Sequence, residues 1–217
     1  MLWIRFPQAP SRNRRVKHDL TVPPWRTTAA RLVYGHPQLC LVEYQVLRAD
    51  GRPALRHRLA EPTSVRVVAV DPDGLLALIW RWRYALGYPG IELPSTTVQA
   101  GEEPVVAAQR ALRQDCGLAA QQWIKTGQLT ATTDIAAQTI HLYRADNLHR
   151  VPPPTGSSER LAFTMPYTVA VGCATSGAID DAASVAALLR AERDRQQDRW
   201  QLPDTKPPRP ATTTRIR

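Results

Sequence analysis

The sequence predicts a mixed α+β fold, an α/β/α sandwich preceded by a β-hairpin subdomain. Three observations predict it. Short β-rich runs joined by turn tetrapeptides fill residues 38–81, one sharply bounded helix covers 104–115, and a further helix from 182 dissolves into a polar, Pro-rich tail.

Taken in order, residues 1–36 carry Pro7, Pro10, Pro23 and Pro24 with little periodicity, and read as a basic, flexible arm. Residues 38–47, QLCLVEYQVL, alternate in the manner of a half-buried strand. Ala49-Asp50-Gly51-Arg52 is a turn and 54–60 the partner strand, so 37–62 reads as a hairpin. SVRVVAV at 64–70 is an apolar strand ending at Asp71-Pro72-Asp73-Gly74, with Leu75–Arg81 as the return strand of a second hairpin. Over 104–115, Val105, Ala108, Leu112 and then Cys116 recur at helical spacing. Acids and Pro104 open that helix and Gly117 ends it. Ile124–Thr132 and Gln138–Ala145 are strands, 151–158 a loop, and Ala182 to about Arg193 a helix with Ala186, Leu188 and Leu189 facing inward. Residues 63–196 form the main domain and 197–217 a disordered basic tail.

A chain of 217 residues, 43% hydrophobic, is long enough to bury a core. No apolar run approaches the roughly 18 residues of a membrane span, and no apolar segment follows the N-terminal arginines as in a secretory signal. Three widely spaced cysteines with no CxxC pair argue against a disulfide framework or structural zinc, and a reducing cytoplasm is the expectation. The net charge of +9 sits at the ends: +6 over 1–32, +4 over 190–217 and −1 between. Such basic arms touch nucleic acid or serve as solvated tails, and the second reading is favoured because the middle carries no basic face.

Residues 92–118, ELPSTTVQAGEEPVVAAQRALRQDCGL, resemble the Nudix box: Gly, five residues, Glu, seven residues, then Arg-Glu-aliphatic-x-Glu-Glu-x-Gly-aliphatic. Glu102, Arg110, Leu112, Gly117 and Leu118 fall in register. The flanking VRVVAVDPDGLLALIWRWRYALGYPGIELP, TIHLYRADNL and TSGAIDDAASVAALLRAE resemble ADP-ribose pyrophosphatases in consistent order, about 150 residues in all. The resemblance implies a Nudix-type sandwich and a homodimer built through the N-terminal strands. It also implies a nucleotide-type small molecule, a nucleoside diphosphate linked to a sugar, as the ligand. Arg83 and Glu92 match substrate-contacting positions, and Glu102, Arg110 and Gly117 match positions that brace the box loop.

The departures fall on the acids that hold the metal in this family. The box Glu after the Arg is Ala111, the first of the Glu-Glu pair is Gln114, and the second is Asp115. The opening Gly is Thr96, preceded by Ser95. Hard cations require oxygen ligands, preferably anionic, and two of three box carboxylates are missing. The resemblance then leaves Asp115, the backbone carbonyl of Ser95 and the late-loop acid Glu159 as metal ligands for Mg²⁺ or Mn²⁺ if the chain is active, with Asp115 and Glu159 as the catalytic pair. Three functions follow: a Nudix-like binder whose hydrolysis is weak, lost or repurposed; an active pyrophosphohydrolase; or an RNA- or protein-binding module acting through its arms. Arg81 and Arg83 also admit a bland reading, turned outward beside Trp80 and Trp82. Cys116 reads as a small buried hydrophobe, His141 as a satisfied imidazole, and His57 lacks an identifiable partner.

Overall fold

In the computed structural model, residues 4–5, 24–37, 39–131, 135–152, 160–197 and 199–202 are described. The chain divides into two units, 1–62 with 130–138, and 63–129 with 139–217.

The first unit is a four-stranded antiparallel sheet in the order β1-β2-β3-β4, from β1 (Ile4–Arg5), β2 (Trp25–His36), β3 (Leu39–Arg48) and β4 (Pro53–Ala60). The β3–β4 hairpin forms as its turn residues dictate, with Gly51 at φ 80°, where a side chain is strained. Residues 25–36 differ from the sequence reading: instead of belonging to an arm, they are the long strand β2. Its β-favouring Thr27, Thr28, Val33 and Tyr34 outweigh the prolines, which end just before it. His57 also gains a partner, since its Nε2 lies 3.3 Å from Glu43 Oε2, the carboxylate that Arg31 Nη2 reaches at 2.8 Å.

The second unit is built around β5 (Ser64–Ala69), every residue of which is buried. Such a strand reads as a continuous apolar run because both faces are covered. It pairs in parallel with β10 (Gln138–Arg150) and antiparallel with β8 (Ser95–Thr97), giving the sheet order β8-β5-β10-β9, where β9 is Leu118–Ala131. Helix α1 (Pro104–Cys116) covers it with Ala107, Ala108, Ala111 and Leu112, which meet Val65, Val67, Ala69 and Tyr143. The small alanines let helix and sheet approach closely. Gly117 stops the helix in the left-handed region, φ 62°, with its N–H donating to Arg113 O.

The strand after Gly74 is not the return arm of a hairpin. Asp71 Oδ1 accepts from the N–H groups of Asp73 and Leu75 and closes the turn as the sequence suggests. Beyond it β6 (Leu75–Arg83) leaves the sheet of β5, with which only the Val70–Leu76 bridge remains, and joins a second antiparallel sheet, β11-β6-β7. Here β7 is Tyr88–Glu92 and β11 is Arg160–Pro166. A helix absent from the sequence reading follows, α2 (Tyr167–Ser176), apolar all round and rich in Thr and Val. It has no polar face to reveal a helical period, and its β-branched residues argue locally for a strand. Helix α3 (Ala182–Gln196) matches the expected C-terminal helix and runs one turn longer, but its inner face is Ala183, Ala187, Leu188 and Ala191, and Leu189, expected inside, is exposed.

Candidate functional site

The second sheet delivers two arginines to one side of β6. Leu76 to Ile79 are buried, and then the strand alternates: Trp80 and Trp82 are exposed, while the side chains of Arg81 and Arg83 are 12% and 34% accessible. The outward reading of these arginines is therefore inverted, and it is the tryptophans that face solvent. Arg83 grips Glu92 on β7 through both Nε and Nη2, and Arg81 Nη1 reaches Glu92 Oε2 at 3.5 Å. Glu92 is 3% accessible at its side chain, and these two guanidinium groups are its partners in that buried position. Burial works against the Arg83 cation, but the Glu92 hydrogen bond and charge raise its pKa above the ordinary value.

Asp115 is the next acid along. It lies at the C-terminal end of α1 with its carboxylate 1% accessible, and its Oδ2 accepts from Ser95 N at 2.9 Å. Its Oδ1 accepts from Arg160 Nη1, and Arg81 Nη2 lies 3.7 Å from Oδ2. The carbonyl of Ser95, expected as a metal ligand, faces Arg81 Nη2 and Arg160 Nη1, each at 3.4 Å, and Ser95 Oγ accepts from Arg81 Nη1 at 3.0 Å. The result is an alternating row of charges, Arg83, Glu92, Arg81, Asp115, Arg160, contributed by β6, β7, α1 and β11. Burial, followed by the nearby charge of Arg160, pushes the Arg81 pKa down to about 10, which still leaves it cationic at neutral pH.

Among the described residues, this donor set does not fit a divalent cation. Ala111 is fully buried in the α1–β5 core, Gln114 is exposed on the helix, and Glu159 lies outside the described residues. Among the described residues, no group of three or more His, Cys, Asp or Glu side chains comes together. The two expected ligands present, Asp115 and the Ser95 carbonyl, are already engaged by guanidinium groups. A divalent ion at about 4 Å from one such cation meets roughly 8 kcal/mol of repulsion at an effective dielectric of about 20.

The box loop is held by Arg110. Its Nε and Nη2 reach the Glu102 carboxylate at 3.0 and 2.8 Å, its Nη1 reaches Thr96 Oγ1 at 3.1 Å, and Nη2 reaches Thr97 O at 2.8 Å. Glu102 also accepts from Gln99 N, and the Arg110 hydrogen bond holds its pKa below the ordinary carboxylate value. Gly117 lies at the far end of the helix, its carbonyl accepting from Val151 N.

Beside the charge row opens a cleft of about 320 Å³ lined by Arg83, Leu86, Tyr88, Glu92, Asp180 and Asp181, among others. Tyr88 Oη donates to Asp180 at 3.1 Å across its mouth. Arg81 and Arg160 are the residues that sequence reasoning missed. For Arg81 the signal was its two-residue spacing from Arg83, which puts both on one strand face. Arg160 carries no local signal, because only the β11–β6 register places it opposite Arg81.

No protein-family model matches the chain. It is 28% identical over 149 residues to an ADP-ribose pyrophosphatase of Mycobacterium tuberculosis, covering 67% of this chain and 72% of the relative. It is 24% identical to an ADP-ribose pyrophosphatase of Bacillus subtilis, over 57% of this chain and 66% of the relative. A methanol dehydrogenase activator of Bacillus methanolicus is 26% identical over 51% of this chain and 60% of its own length. Among solved structures, an ADP compounds hydrolase superposes with a TM-score of 0.72 at 15% identity, over 82% of this chain and 97% of that one. In sequence and in fold the chain is similar to the ADP-ribose pyrophosphatase-like branch of the Nudix superfamily.

Proposed function

We propose that the chain recognises a nucleoside diphosphate linked to a sugar, of the ADP-ribose type, and that metal-dependent hydrolysis of the pyrophosphate has been lost from it. The observation that carries this reading is the engagement of Asp115. It is the one metal-holding box carboxylate left, and Arg160 and Ser95 N already engage both of its oxygens. Charged catalysis of pyrophosphate cleavage rests on a cation that neutralises the departing phosphate and orients water, and that cation has no ligand set among the described residues. The substrate class is supported by the likeness to two relatives named ADP-ribose pyrophosphatase. The cleft beside Arg83 and Glu92 supplies a forked cation for phosphate and a buried acid. A homodimer through the strands of the first unit belongs to the same reading. Light scattering tests it, and a monomer removes that part.

The test is release of AMP from ADP-ribose and a panel of nucleotide sugars with Mg²⁺ or Mn²⁺, run on the natural chain and on Asp115→Ala. The reading expects no turnover above the variant's background, while ADP-ribose raises the melting temperature of the natural chain. Turnover that disappears in Asp115→Ala would instead establish an active hydrolase working through a sparse metal site.

A further inference from the structure

We infer that Arg81 and Arg160 take the place of the divalent ion, so that the site binds a diphosphate without any metal. This rests on the nucleotide reading above for the identity of the ligand, but not for the diphosphate itself.

Arg160 on β11 and Arg81 on β6 are directly paired cross-strand neighbours in the antiparallel register. Like charges directly opposite each other destabilise a sheet, so this pairing needs anions to hold it. Asp115 supplies one, below the pair, and Glu92 touches Arg81 from the side. The arrangement still strains: Arg81 Nε is buried with no hydrogen-bond partner, and the Arg81 pKa is depressed by burial and by Arg160. Arg160 and Arg83 are each about one third accessible at the side chain, which leaves both ends of the row open to a ligand, and Arg83 also lines the cleft. A diphosphate carries several acceptor oxygens and matches forked guanidinium donors. Its negative charge would do for the two opposed arginines what Mg²⁺ does for phosphates in a carboxylate site: cancel charge at close range. Fixed cations do this without the ion, and chelation leaves them in place.

The experiment is calorimetric titration of the full chain with ADP-ribose and, separately, inorganic pyrophosphate, in EDTA and in millimolar Mg²⁺. The natural chain binds both probes in EDTA with the same affinity as in Mg²⁺. Arg160→Gln weakens binding roughly tenfold to hundredfold, the worth of a charge-assisted hydrogen bond. Asp115→Asn, which releases the guanidinium groups from their carboxylate, tightens binding in EDTA, whereas a metal site loses its ligand and binds more weakly. Arg160→Lys keeps the charge without the fork and falls between. A melting curve on each variant shows that it is folded. Pyrophosphate binding in EDTA without ADP-ribose binding supports the arginine site and overturns the nucleotide reading. Binding of ADP-ribose only with Mg²⁺, or weaker ADP-ribose binding by Asp115→Asn, overturns the arginine site and leaves the nucleotide reading standing. No binding of either probe overturns both.

Discussion

Arg160 and Asp115, 45 residues apart in sequence, are hydrogen-bonded across the gap between β11 and α1. The bond is asymmetric in its surroundings, since the Asp115 carboxylate is 1% accessible and the Arg160 side chain 33%. Removing the acid strands two guanidinium groups and the Ser95 N–H in a largely dry place. Removing Arg160 leaves Asp115 with Ser95 N and Arg81. Asp115→Ala should therefore destabilise the chain by about 3 kcal/mol, near the lower end for breaking a buried pair. Arg160→Ala should cost about 1 kcal/mol, because a third of its side chain is screened by solvent. Urea midpoints of the two variants measure the ordering, and equal losses would contradict it.

Rebuilding the family's carboxylates is a second test of how far the helix has been committed elsewhere. Ala111 is fully buried against the β5 side of the core, while Gln114 faces solvent three residues on. Ala111→Glu forces a carboxylate among Val65, Ala107 and Leu112, and should cost about 3 kcal/mol or more through desolvation and overpacking. Gln114→Glu should stay within about 0.5 kcal/mol of the natural chain, as an exposed surface change does. Thermal unfolding separates them, and a stable Ala111→Glu protein would show that the core can open there.

Much of this was legible in the sequence, and the limits are physical. The β3–β4 hairpin, α1 with its Gly117 stop, and the α3 helix declare themselves through turn residues, spacing and caps. The Glu102–Arg110 brace follows from box register alone, because eight residues separate partners that a loop and a helix bring together. What sequence could not give is anything set by register between distant strands. The pairing of Arg160 with Arg81 is a property of the β11–β6 ladder, and no local pattern at 160 announces it. The second hairpin failed for the same reason: Asp71 makes the turn, but which sheet β6 joins is decided by β7 and β11.

Cys116 follows Asp115 on the helix and is a poor nucleophile. Burial, and then the negative charge of Asp115, push its thiol far above the ordinary value, so thiolate is scarce at any working pH. Iodoacetamide at mildly alkaline pH should leave Cys116 unmodified in the folded chain and alkylate it after denaturation. Peptide mass spectrometry reads the site directly, and rapid native labelling of Cys116 would rule out the inert, partly buried thiol.

Asp181 makes the sharpest pH prediction. It caps α3 by accepting from Ser184 N at 2.9 Å and from Ser184 Oγ at 2.6 Å, and it takes Arg66 Nε at 3.2 Å and Nη2 at 3.4 Å. Burial alone would raise its pKa, but the charge and hydrogen bonds of Arg66, with those of Ser184, outweigh burial and hold it below the ordinary 3.8. A depressed carboxylate pKa contributes stability above the unfolded value, and that contribution is lost as pH falls through the lower folded value. Asp181→Asn should cost about 2 kcal/mol at neutral pH, since Arg66, 10% accessible at its side chain, keeps only a neutral partner. The gap between natural chain and variant should close as pH drops below 3.8 and the natural Asp181 takes up its proton. Urea denaturation across the acid range measures it. A gap that stays constant into strong acid would mean that the Arg66–Asp181 charge pair contributes nothing beyond the helix cap.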